Sequence, residues 1–148
     1  MADIPRNKIR LTVGKSAANP SNERAVVKLS CMFSDREVSE NGRYRVRAYL
    51  YEADGNNQRD QFQCKPDGRP LRQKNGPWDD RVGHVASKWV RPDGKNEVVL
   101  ELEREWNFPE LDESFLDPRE HFYAYVSIVP EYAMGDWEFS KIVALNID

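Results

Sequence analysis

Apolar and polar residues alternate along most of this chain, and the period is two. In "RAVVKLSCMF" (24–33), Val27, Leu29, Cys31 and Phe33 share one face. In "EVVLELERE" (97–105), Val98, Leu100 and Leu102 share one face, and Glu97, Val99, Glu101, Glu103 and Glu105 the other. In "FYAYVSIV" (122–129), Phe122, Ala124, Val126 and Ile128 oppose Tyr123, Tyr125, Ser127 and Val129. In "YRVRAYLYEA" (44–53), Tyr44, Val46, Ala48 and Leu50 oppose Arg45, Arg47, Tyr49 and Tyr51. Successive side chains of a strand point to opposite faces, so each pattern predicts a strand with one buried face. Further strands are predicted at "KIRLTV" (8–13), "HVASKWV" (84–90) and "WEFSKIVALNI" (137–147).

Turn chemistry separates these runs. In "RPDGK" (91–95), Pro92 presets φ and Gly94 accepts φ > 0, which predicts a hairpin. "ENGR" (40–43) and "ADGNN" (53–57) are similar breakers. No segment carries a long 3.6-residue period. The best helix candidate is "PELDESFL" (109–116), with Pro109 at the first helical position. Residues 55–83 form a long polar loop holding Pro66, Pro70 and Pro77, with a candidate short strand at 61–65. Loops of that length in compact domains are usually functional or disordered.

The expected fold is therefore all-β: a single antiparallel β-sandwich over 1–148, with about seven to eight strands, one short helix and the 55–83 loop. Two stretches resemble immunoglobulin-like and fibronectin type III-like sandwiches. "VKLSC" (27–31) resembles the second strand of an immunoglobulin domain. "LDPREHFYAYVSI" (116–128) resembles the helical corner and sixth strand, with Leu116, Pro118, Phe122, Ala124 and Val126 in the corresponding places. The sixth strand has no cysteine to partner Cys31, and Phe122 stands where a corner hydroxyl would donate, with Tyr123 beside it. The resemblance implies that the third and sixth strands are neighbours and that the fifth lies in the other sheet.

Composition narrows the setting. Of 148 residues, 32% are charged, and the net charge of −3 gives no general electrostatic case for nucleic acid or an anionic membrane. No run of about 20 apolar residues is present, so no membrane-spanning helix is expected. The start "MADIPRNKIRLTVGK" lacks the apolar core of a signal peptide. A cytoplasmic location is expected, or a particle assembled in the cytoplasm. Cys31 and Cys64 are then expected to be reduced thiols, Cys31 in the core.

The search for chemistry singles out no enzyme. Nucleophile-elbow, phosphate-loop, dinucleotide and zinc-protease motifs are missing from the sequence. His84 and His121 stand alone along the chain and are read as surface or strand-start residues. No cofactor is called for. The alternative is a ligand-binding module, either a calcium-dependent membrane-docking sandwich or a carbohydrate-binding one. Asp54, Asn56 and Asp60 offer hard oxygen ligands for calcium, and "DESFLD" (112–117) and "WDD" (78–80) add acids. Trp78 offers a stacking platform for a sugar, while Trp89, Trp106 and Trp137 are expected at sheet edges or in the core.

The leading expectation comes from the two outer faces. Arg45, Arg47, Tyr49 and Tyr51 on the third strand would lie beside Tyr123 and Tyr125 on the sixth. Tyrosine and arginine are enriched at protein interfaces. Glu97, Glu101, Glu103 and Glu105 would form an acidic second face on the opposite sheet. Complementary faces on opposite sides permit head-to-tail contacts. The sequence thus points to a non-catalytic structural or adaptor subunit with protein partners, of the phage, tail or particle kind.

Overall fold

The fold is a computed structural model that describes residues 2–18, 22–53, 80–107, 121–131, 136–140 and 143–144. It is an all-β sandwich of two antiparallel sheets. Sheet A holds β1 (Arg10–Lys15), β2 (Asn22–Met32) and β5 (Glu97–Asn107), in the order β1-β2-β5. Sheet B holds β3 (Tyr44–Ala53), β4 (Asp80–Val90), β6 (His121–Pro130) and β7 (Asp136–Phe139), in the order β4-β3-β6-β7. The short β8 (Val143–Ala144) also pairs with β6. The expected strand at 137–147 is thus two strands, and the expected loop at 55–83 gives up Asp80–Gly83 to β4. The candidate strand at 61–65 and helix at 109–116 lie outside the described residues.

The alternating patterns do place one face of each sheet in a shared core. Val13, Val27, Leu29 and Leu102 from sheet A meet Val46, Leu50, Phe122, Val126 and Ile128 from sheet B. Burying a large apolar side chain contributes about 1.5–3 kcal/mol, so this layer supplies much of the folding free energy. Ala2 and Ile4 join the same core, and the backbone of Asp3 exchanges hydrogen bonds of 3.0 and 2.7 Å with that of Met32.

One helix occurs where period alone gives no signal. Helix α1 (Asp35–Glu40) has Ser34 as its N-cap. The Ser34 hydroxyl accepts from the Glu37 N–H, and the Glu37 carboxylate accepts from the Ser34 N–H. The signature Ser-x-x-Glu was legible in the sequence, whereas six residues are too few for a convincing 3.6-residue repeat. Asn41 ends the helix in the left-handed region at φ 47°. Its side chain accepts from the Asp93 N–H at 2.9 Å, which ties α1 to the turn between β4 and β5.

That turn has φ of 48° at Asp93 and 81° at Gly94, and the Lys95 N–H donates to the Pro92 carbonyl at 3.0 Å. The turn chemistry is therefore as expected, but the hairpin is not. β4 and β5 belong to different sheets, so the chain turns a corner of the sandwich. The two edges meet there through side chains. Lys88 donates to the Glu101 carbonyl and Arg104 to the His84 carbonyl, both at 2.8 Å. Carbonyls engaged this way are withdrawn from edge-to-edge pairing.

Cys31 is a free thiol in the inward row of β2, fully buried, and burial pushes its pKa up to about 12. The thiolate is the reactive form. In a Cys64→Ser chain, Cys31 should resist Ellman's reagent in native buffer and react only as the protein unfolds. Rapid native reaction would contradict its place in the core.

Candidate interaction surface

The register of sheet B assembles the residues singled out on β3 and β6. Tyr49 pairs with Tyr125, Tyr51 with Tyr123, Arg47 with Ser127 and Arg45 with Val129. All of these occupy the face opposite the core. The rings interact across the strands: Tyr49 and Tyr125 at 6.1 Å between centroids, tilted by 49°, and Tyr51 and Tyr123 stacked at 5.5 Å.

Their exposure departs from expectation. Tyr49 and Tyr51 are each 4% exposed, Tyr123 1% and Tyr125 0%. The four rings form a second buried cluster, distinct from the main core. They are therefore not an exposed contact surface. Alternation tells which face of a sheet a residue occupies, but not whether that face meets water. Cross-strand aromatic pairs of this kind stabilise a sheet by themselves, by about 0.2–1 kcal/mol each.

Two irregularities in β4 extend the row. Ala48 pairs with Ala86 but Tyr49 with His84, which leaves Val85 as an extra residue. Leu50 pairs with Gly83 but Tyr51 with Arg81, which leaves Val82 extra. Such bulges re-aim side chains. Here the first one turns Val85 into the core and puts His84 and Ser87, three residues apart, on the same outer face. His84 Nε2 lies 2.7 Å from Ser87 Oγ, and its ring packs on Tyr49 at 5.0 Å. His84 is thus engaged rather than isolated, a contact that simple alternation hides. The His121 side chain lies outside the described set.

Solvent access increases from this buried row toward the β4 edge. Val129 and Ser127 are buried, Arg45 and Arg47 half-buried, and Trp89 43% exposed. Trp89 pairs in register with Arg45. The guanidinium carbon of Arg43 sits 4.0 Å from the Trp89 ring centroid and that of Arg45 5.2 Å away. Both distances are within the cation–π range. Arg43 is also ion-paired to Glu131 at 2.6 Å. Arg45 Nε has no hydrogen-bond partner among the described residues. Trp106, by contrast, is buried, with Arg104 over its ring at 4.8 Å. Trp78 and Trp137 are outside the described side chains, as are Asp54, Asn56 and Asp60.

On sheet A the acidic row is exposed as expected, but much of it is matched by residues of the same chain. Lys8 binds Glu97 at 2.5 Å and Arg24 binds Glu103. The Ser16 hydroxyl donates to Glu105 at 2.5 Å and Asn22 donates to it at 3.4 Å. Hydrogen bonds from Lys8 and from Ser16 respectively hold the Glu97 and Glu105 carboxyls below the usual range. Glu101 stands opposite Lys28 in register and makes no side-chain ion pair among the described residues. Val99, in the same row, is 55% exposed. The row is thus mostly one side of an internal charge ladder, open at Val99 and Glu101.

No family model matches the sequence, and no curated protein matches it. Among solved structures, a structural-genomics target is similar with a TM-score of 0.40 at 7% identity, covering 99% of this chain and 86% of that one. AggA, the major subunit of aggregative adherence fimbriae type I from Escherichia coli, is similar with a TM-score of 0.37 at 12% identity, covering 100% and 96%. Among the described residues, no helix is long and apolar enough to cross a membrane, and no cluster of His, Cys, Asp and Glu could hold a metal ion.

Proposed function

We propose that this chain is a non-catalytic structural or adaptor subunit that makes protein–protein contacts within a larger assembly, such as a phage, tail or other particle. The observation that carries the reading is the Trp89 corner. A large ring is left open to solvent beside Arg43 and Arg45 at a sheet edge, while the aromatic rings next to it are buried. Tryptophan and arginine are the residue types that dominate binding hot spots. The strand order supports an immunoglobulin- or fibronectin type III-like version of the sandwich. The first, second and fifth strands form one sheet, and the third, sixth and seventh the other, as in that architecture.

A benzophenone amino acid in place of Trp89 tests the contact directly. Irradiated in the cells that natively make the protein, it should yield protein adducts. The same group in place of the exposed Arg36 should yield few. Equal yields at both positions, or none at 89, would remove the reading.

The His84–Ser87 pair is assigned to packing. Its geometry would also suit a nucleophile and base, so a fluorophosphonate probe separates the two roles. The native protein should remain unlabelled. Labelling of Ser87 that disappears in a His84→Ala chain would make the protein an enzyme.

A further inference from the structure

We infer that the partner of the Trp89 corner is a second copy of this chain, which presents the Val99–Glu101 opening of β5. The inference rests on the assembly reading above and names its partner. Trp89 and Val99 are the two large apolar side chains that stand exposed among the described residues. They lie on opposite outer faces of the sandwich, Trp89 on sheet B with Arg45 and Val99 on sheet A with Glu101. Their charge settings are complementary. The Arg43 charge is already matched by Glu131, which leaves Arg45 as the cation of the corner. Glu97 and Glu103 are matched by Lys8 and Arg24, which leaves Glu101 as the anion next to Val99. The ring of Trp89 laid on Val99 therefore brings Arg45 toward the one carboxylate of that stretch of the row that lacks an ion pair among the described residues.

Because the two surfaces are on opposite faces, one flat contact uses Trp89 of one copy and Val99 of the next. The first copy then keeps its Val99 surface unused and the second its Trp89 surface. The contact is heterologous, and repetition gives a ring or an open filament rather than a closed two-fold dimer. A patch centred on one ring and one charge pair belongs to the small, reversible class of interfaces, so assembly grows with concentration.

The test is complementation between two broken surfaces. Light scattering over a concentration series should show wild-type mass rising beyond that of a dimer. Trp89→Ser and Val99→Asp should each weaken self-association by about tenfold or more and leave monomers. An equimolar mixture of the two variants should form dimers and nothing larger, because each supplies the one surface the other lacks. Unchanged thermal melts establish that both variants fold. Arg45→Glu mixed with Glu101→Arg provides a second pair that leaves the apolar groups intact. A wild type that remains monomeric, or variants that mixing does not rescue, would overturn the inference. The benzophenone experiment separates the two levels. Adducts at position 89 with a different protein keep the assembly reading and sink self-association. An absence of adducts sinks both.

Discussion

Replacing Tyr125 with alanine is expected to lower the unfolding free energy by about 3–5 kcal/mol, the range for truncating a fully buried aromatic. Tyr125 has no exposed surface, pairs with Tyr49 across the β3–β6 ladder, and sits in the second cluster rather than the main core. Single domains are stable by only about 5–15 kcal/mol, so this one change consumes a large share. Urea denaturation would measure it as a lower midpoint with an unchanged slope. A loss below about 1 kcal/mol would mean that the tyrosine row is open to water after all. A Tyr→Ser change in this row is thus expected to lower folding stability, and so does not report cleanly on any interface.

Leu29→Ala is expected to cost about 2–5 kcal/mol by the same measurement. Leu29 is 1% exposed on the central strand of sheet A and lies opposite Leu100 in register. Removing its methine and two methyl carbons leaves a cavity in a close-packed core, which neighbours fill only in part. Val99→Ala, on the outer face of the neighbouring strand, provides the contrast. It should change stability by no more than about 0.5 kcal/mol. Equal losses at the two positions would put the wrong face of sheet A inward.

The inward rows could be read directly from the sequence. Val27, Leu29 and Cys31 on β2, and Phe122, Ala124 and Val126 on β6, follow simple alternation, and all are buried. The side-by-side placement of Tyr49 with Tyr125 also followed, once the third and sixth strands were taken as neighbours. What local pattern could not supply was the state of the second face. Whether Tyr49 meets water depends on residues far away in sequence, and no period encodes that. The acidic row shows the same limit. Its parity was legible, but Lys8 and Arg24 pair with two of its carboxylates and Ser16 hydrogen-bonds a third only because the fold brings these distant residues beside β5. His84 and Ser87 were hidden by a bulge, since an extra residue shifts every later side chain to the other face. Trp89 was expected to pack, and it does so only partly, because β4 has a paired strand on one side only among the described residues.

The measurement that bears most directly on this account is hydroxyl-radical footprinting at low and high protein concentration, read at Trp89 and Tyr125. The account predicts that Trp89 is oxidised readily in dilute solution and becomes protected as concentration rises, while Tyr125 is protected throughout. Oxidation of Tyr125 at the rate of Trp89 would contradict the buried tyrosine cluster. A Trp89 signal that does not change with concentration would contradict its role in contact between copies.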